Sequence, residues 1–223
     1  MGRMTAADKA YRMIRQLIAT GALAPGAHLR EFEMADRTGL SRTPIREALL
    51  RLGSEGWVTV VANRGAFVNA FDRRASEEVF GLRVLLEPFA AELAAQNITG
   101  DQLARLRDLN REMADAIAGD PPDLDAVERI NNAFHSLIVE AADSRRLASC
   151  LASVLQPAIV FRTFSRYRSA ELRRSVGHHE ELVAALSVGD GTWARAAMVG
   201  HLSSARHVYD RQFGSEPGAT ARR

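Results

Sequence analysis

No run of about 18 consecutive apolar residues occurs in this 223-residue chain, so nothing in it reads as a membrane-spanning helix. The long apolar core of a signal peptide is missing near Met1, and the expectation is a cytoplasmic protein without membrane attachment. Cysteine is almost absent. The single Cys150 excludes an internal disulfide and a cysteine-based zinc site, and in a helical context it is expected to act as a small buried hydrophobe rather than a nucleophile. Net charge is nearly absent as well, at +2. What is present, 47% hydrophobic and 25% charged residues, is the make-up of a globular chain long enough to hold two domains and bury a core in each.

The small net charge conceals an uneven distribution. Residues 1–73 carry 11 Lys and Arg against 7 Asp and Glu, whereas residues 74–223 carry 18 against 20. Only the first part is suited to meeting a polyanion. Histidine is biased the other way, with His135, His178, His179, His201 and His207 all in the second part. The two parts are therefore expected to do different jobs.

In the basic part, residues 6–19 read as a helix whose apolar face is Ala10, Tyr11, Ile14, Leu17 and Ile18. Gly21 stops it and Pro25-Gly26 makes a turn. A short helix over about 31–38 ends at Gly39, and the next begins between Ser41 and Pro44, with Ser41 or Thr43 as N-cap. In Ser41-Arg42-Thr43-Pro44-Ile45-Arg46-Glu47-Ala48-Leu49-Leu50-Arg51-Leu52, the apolar stripe is Ile45, Ala48, Leu49 and Leu52. Arg42, Thr43 and Arg46 fall off it, so this helix points two guanidiniums and a hydroxyl outward near its N-terminus. Taken alone, that is equally a solvated face. The preceding helix and glycine turn make it a helix-turn-helix, whose second helix enters the major groove. Two short strands follow, Trp57–Val61 and Ala66–Val68, joined by Ala62-Asn63-Arg64-Gly65 with an arginine at the tip. A wing of that kind suits insertion beside a duplex.

From Pro25-Gly26 through Leu29-Arg30-Glu31, Gly39-Leu40, Ser41 to Leu49, Glu55-Gly56 and Asn63 to Val68, the chain resembles the winged-helix domain of GntR-type bacterial transcription regulators. The similarity covers about residues 8–70, and the run from Ser41 to Leu49 is its most specific segment. It implies a homodimer on a short near-palindromic operator of double-stranded DNA. It places Arg30, Ser41, Arg42, Thr43, Arg46, Asn63, Arg64 and Gly65 at that DNA.

Beyond Arg73 every periodic stretch is helical, over about 75–96, 101–118, 123–142, 145–165, 170–188 and 190–212, with no strand-like alternation. Pro88 falls inside the first of these. The fold class is thus mainly α: a winged helix of three helices plus a two-stranded wing over residues 1–72, an all-α bundle over 73–213, and a tail over 214–223 expected to be disordered.

In the helical part, Asn131 and His135 are one turn apart on one helix, His179 opens the run Glu180 to Leu186, and His201 sits within the last helix. Three imidazoles and an oxygen donor would suit zinc or nickel, although scattered helical histidines are more often ordinary core or surface residues. Asn131 to His135, His179 to Leu186, and Ala196 to Leu202 also resemble three segments of the FCD effector domain of the FadR-type branch. The resemblance implies a divalent metal ion held by Asn131, His135, His179 and His201, with Asn131 standing where an aspartate is commoner. His178 is the neighbour that the register passes over. Leu82 to Glu87 matches the segment that opens this domain, which implies that Arg83 reaches the effector cavity. Its alternative is an intrahelical pair with Glu87. The basic run Arg162, Arg166, Arg168, Arg173 and Arg174 reads as a solvated helix face.

These features point to a ligand-responsive transcription regulator, in the first instance a repressor, answering to a small organic acid. A metal-dependent hydrolase is the alternative from another class. It would need a general base, for which Glu180 and Glu181 are the candidates by position, and no nucleophile–base motif accompanies them. A metal-sensing regulator differs only in its effector, and a chelator titration of operator affinity separates the two.

Overall fold

The computed structural model describes residues 4–62, 64–70, 73–154, 164 and 167–213, except for the side chains of residues 73, 75, 76, 212 and 213. The chain forms two compact units that meet between Asp72 and Arg73.

The first unit opens with α1, Ala6–Ala19. Its start is set by a reciprocal cap: Asp8 N–H donates to Thr5 Oγ1 at 3.1 Å, and Thr5 N–H donates to the Asp8 carboxylate at 3.2 Å. After β1, His28–Leu29, comes α2, Glu31–Thr38, which ends where Gly39 adopts φ 70° and returns its N–H to the Ala35 carbonyl. Helix α3, Arg42–Ser54, buries Pro44, Ile45, Ala48, Leu49 and Leu52, the expected stripe with the proline added. Each fully buried Ile or Leu contributes about 1.5–3 kcal/mol through water exclusion. Polar contacts then pin α3 to α1. Tyr11 Oη donates to Glu55 at 2.5 Å, and the Arg51 guanidinium lies 3.9 Å over the Tyr11 ring.

Strands β2, Val58–Val61, and β3, Gly65–Val68, form the antiparallel wing, with Val58 opposite Val68 and Val61 opposite Gly65. The expectation of two strands is too small by one. His28 and Leu29 of β1 pair with Phe67 and Ala66, giving a three-stranded sheet in the order β1-β3-β2. A two-residue strand carries no alternation by which to find it.

The regular structure of the second unit, among its described residues, is helical: α4 (Arg73–Asn97), α5 (Gly100–Ile117), α6 (Leu124–Ala141), α7 (Arg145–Val154), α8 (Ser169–Ser187) and α9 (Gly191–Phe213). Thr99 with Gln102 caps α5 reciprocally, and Asp123 caps α6. Helix α4 continues past Pro88. Leu106, Met113, Phe134, Ile138, Leu182 and Leu202 anchor one core. At Gly191 a Cβ would come within 2.9 Å of the Glu92 carbonyl oxygen, so glycine is what allows α9 to begin against α4. No helix among the described residues is long and apolar enough to cross a membrane.

Three sequence expectations need comment. The helix expected over 145–165 is described only to Val154, so Arg162 and Arg166 lie outside the described residues. The tail from Gly214 lies outside them too. Cys150 is not a buried hydrophobe: it is exposed on α7, because Leu147 and Leu151 take that helix's inward positions.

Candidate nucleic-acid interface and candidate metal centre

In the first unit, α2, α3 and the wing enclose an open groove of about 610 Å³. Arg30, Arg42, Arg46 and Arg64 border it, above an apolar wall that includes Phe32, Leu50 and Val60. The four arginines are exposed, as are Ser41 and Thr43. Ser41 occupies the N-cap position with extended backbone, yet its hydroxyl makes no capping bond. The first N–H groups of α3 and that hydroxyl are thus left for an outside acceptor, the arrangement that binds phosphate at helix N-termini.

Two of the arginines are held by acids of α2. Arg46 Nε donates to Glu31 Oε1 at 2.8 Å, and Arg30 donates to Glu33 at 3.0 Å. Both pairs are exposed, with the Arg46 side chain 69% accessible. Pairs so open to solvent are well screened, so a phosphate or a guanine edge can replace them at little cost. On the wing, the Arg64 carbonyl accepts a hydrogen bond from His28 Nε2, whose ring stacks on Phe67 with centroids 4.5 Å apart. Since a carbonyl only accepts, the proton is on Nε2. Gly65, at φ 86°, lies in the left-handed region that favours glycine, and a Cβ there would press to 3.0 Å from the Leu29 carbonyl oxygen. The groove thus gathers Arg30, Arg42, Arg46, Arg64 and Gly65, whereas Ser41 and Thr43 are exposed at the start of α3 without lining it, and Asn63 lies outside the described residues. Sequence reasoning had not singled out His28 or Glu31, whose partners lie 36 and 15 residues away.

In the second unit, α6, α8 and α9 bring His135, His179 and His201 together, with ring nitrogens within 4.8 Å of one another. All three are buried. His179 lies flat against Phe134, centroids 4.0 Å apart, and His135 Nε2 is 3.1 Å from His201 Nε2. His178 is half-buried beside His201 and outside the group. Asn131 is one turn before His135, buried, and its Oδ1 has no partner. The same is true of both ring nitrogens of His179 and of His201 Nδ1. Each orphaned buried polar atom costs about 1–3 kcal/mol, which a bound cation would recover. Burial, reinforced by the neighbouring imidazoles, holds His179 and His201 well below the usual histidine range, so their lone pairs are free at neutral pH. Three imidazoles and an amide oxygen make a donor set that fits zinc or nickel.

Behind this cluster stands an ion pair on α4. Arg83 Nε donates to Glu87 Oε1 at 2.5 Å, and His135 Nδ1 lies 2.8 Å from Glu87 Oε2. Arg83 and Glu87 are both buried. Of the two roles open to Arg83 from sequence, the intrahelical pair is the one formed. The guanidinium also borders a cavity of about 10 Å³, room for one water, that it shares with Asn131, Tyr167 and His201. Burial drives the Glu87 carboxyl upward, but Arg83 and His135 outweigh it and hold it well below the usual carboxylate range. Glu180 and Glu181 are exposed on α8 whereas His135, His179 and His201 are buried, so neither is placed as a general base.

Residues 6–68 match the family described as bacterial regulatory proteins, gntR family, and residues 78–204 match the FCD domain. The HTH-type transcriptional regulator McbR of Escherichia coli (strain K12) is 29% identical over 180 residues, which are 79% of this chain and 80% of that protein. The solved structure of E. coli McbR/YncC superposes with a TM-score of 0.69 at 26% identity, covering 95% of this chain and all (100%) of that one. The Nta operon transcriptional regulator of Aminobacter aminovorans is 32% identical over 161 residues, 71% of each chain. The HTH-type transcriptional repressor RspR of E. coli (strain K12) is 28% identical over 193 residues, 86% of this chain and 83% of its own. These relatives are transcription regulators rather than enzymes, which sets the hydrolase alternative aside. This chain, with its arginine-bordered winged helix and its helical second unit, belongs to the gntR family of bacterial regulatory proteins, as a transcription regulator whose second part is an FCD domain.

Proposed function

We propose that the protein is a repressor that binds a near-palindromic operator as a homodimer and responds to a small organic acid through a divalent metal site in its helical unit. The observation that carries the DNA-binding half is the convergence of four arginines and an uncapped helix N-terminus on one groove. Two such units would occupy half-sites roughly 34–36 Å apart. RspR, a repressor by name, supports the sign of control.

Support for the homodimer comes from α4. Leu82, Leu85 and Phe89 are 45%, 69% and 43% exposed, at steps of three and four on one helix face, with Gly81 beside them. Under a two-fold axis at Leu85 this strip is self-complementary: Leu85 meets Leu85, and the small end at Gly81 meets the bulky end at Phe89. Its flanks carry paired charges, Arg74 with Glu78 and Arg195 with Glu92, so no net charge opposes a second copy.

Asn131, His135, His179 and His201 would hold the metal, zinc or nickel. The ion supplies a positive charge and an open ligand position to an effector carboxylate, and Arg83 borders the adjoining cavity. The small size of that cavity means that an effector must enlarge it. That is how a ligand selects one arrangement of the helices over another, and linkage then changes operator affinity by the same factor. The decisive experiment is a mobility-shift titration on a palindromic operator with wild type and Arg46→Ala. A loss of about 1–3 kcal/mol with relaxed base preference at one position is expected. Equal binding by the two proteins would remove the groove from the DNA.

A further inference from the structure

We propose that Glu87 is a positioning residue for the metal centre: held in place by Arg83, it fixes the ring of His135 so that Nδ1 carries the proton and Nε2 faces the ion. The inference rests on the metal-binding reading above and adds a residue on a fourth helix, α4, to a site otherwise built from α6, α8 and α9.

The geometry leaves little choice. An ionised carboxylate only accepts, so the 2.8 Å contact between Glu87 Oε2 and His135 Nδ1 requires the proton on Nδ1. Nε2 is thereby left as the nitrogen that can offer a lone pair, and it lies 3.1 Å from His201 Nε2. Without an ion, His201 Nε2–H donates across that gap. With one, the ion would take the place of that hydrogen bond, and the His201 proton would move from Nε2 to Nδ1. Glu87 cannot rotate away, because its other oxygen is held by Arg83 at 2.5 Å within a buried pair. Neither His179 nor His201 has an equivalent partner: both nitrogens of the first and Nδ1 of the second are unpaired. One of the three imidazoles is therefore aimed in advance and two adapt to the ion. An imidazole that gives its outer N–H to a carboxylate is also a more basic ligand, and loss of such a partner typically weakens metal binding by about 10–100-fold.

The test uses the full chain, with zinc as the probe and a chromophoric chelator as competitor, comparing wild type with Glu87→Gln. The variant is expected to keep the helical circular dichroism spectrum and to bind zinc about 10–100-fold more weakly. Long-range ¹H–¹⁵N spectra of the zinc-loaded wild type read the tautomer without any substitution. They should show His135 protonated at Nδ1 and metallated at Nε2, a signature that a purely structural role for Glu87 would not set. Zinc affinity unchanged in Glu87→Gln, or coordination through Nδ1, overturns the proposal while leaving the metal site standing. A wild type that takes up no zinc removes the metal reading, and this inference with it.

Discussion

Acidification below about pH 6.5 should destabilise the metal-free protein through its buried histidines. His179 is fully buried against Phe134 and His201 is 5% exposed, and burial holds both well below the usual histidine range. In the unfolded chain both regain an ordinary pKa and take up protons near pH 6.5, whereas the folded protein keeps them neutral. The unfolded state thus binds more protons as pH falls through 6.5, and the stability present above that value is progressively lost. A pKa difference of one unit is worth about 1.4 kcal/mol, so two such groups approach a slope of roughly 3 kcal/mol per pH unit. Half-buried His178 is shifted the same way and adds to this. The Glu87 carboxyl is held low, so its contribution is lost only as pH drops below the ordinary carboxylate range, outside the window. Against a total stability of about 5–15 kcal/mol, one pH unit is a large change. Urea unfolding midpoints between pH 7.5 and 5.5 with a chelator present measure the slope. His179→Phe, whose ring can stack on Phe134 as the imidazole does, should reduce it by about 1.4 kcal/mol per pH unit. A flat profile, or a variant as steep as wild type, would mean that these imidazoles are hydrated or paired in solution, and the account of their neutrality would fail.

Two further outcomes concern the DNA-binding unit. Gly65→Ala forces a Cβ into the left-handed region and to 3.0 Å from the Leu29 carbonyl, so the wing should shift and lose about 1–3 kcal/mol of stability by thermal melting, with weaker operator binding. A variant with an unchanged melting temperature would contradict that packing. For Arg46→Ala, the salt dependence of operator binding gives a second reading. A base-edge contact leaves the slope of log K against log salt unchanged, whereas a phosphate contact lowers it by about one.

How much of this was legible beforehand depended on the range of each interaction. Helix α3 was legible because a stripe at three- and four-residue steps and a nearby cap are local signals, and the observed burial of Ile45, Ala48, Leu49 and Leu52 follows them. Strand β1 was not, since two residues have no period and His28 is a strand residue only because Phe67 lies across from it. The histidines could be named as candidates but not assembled. His135 and His201 are 66 residues apart, and only the packing of α6, α8 and α9 makes them neighbours. Here resemblance carried what spacing could not. Arg83 and Glu87 show the boundary within one pair. Their i,i+4 relation is visible in sequence, while the use of the second Glu87 oxygen by His135, 48 residues on, is not.

Helix α4 has two working faces, and that suggests where the two halves of the proposed function meet. Arg83 and Glu87 face inward to His135, while Leu82, Leu85 and Phe89 face outward, 45%, 69% and 43% exposed. A change at the histidines that shifts Glu87 moves the same rigid helix that presents the strip, so a dimer across that strip would register the state of the metal site. Leu85→Glu tests the outer face by itself. At the two-fold axis the two new carboxylates would oppose each other, and like charges juxtaposed in an interface cost several kcal/mol, roughly a hundredfold or more in dimer dissociation constant. Sedimentation velocity should then show monomers at concentrations where wild type is dimeric, and binding to a two-half-site operator should fall toward that of a single half-site. Zinc affinity, set on the inner face, should stay at the wild-type value. A Leu85→Glu protein that remains a dimer would place the interface elsewhere, and α4 would then lose its claim to connect the metal to the partner subunit.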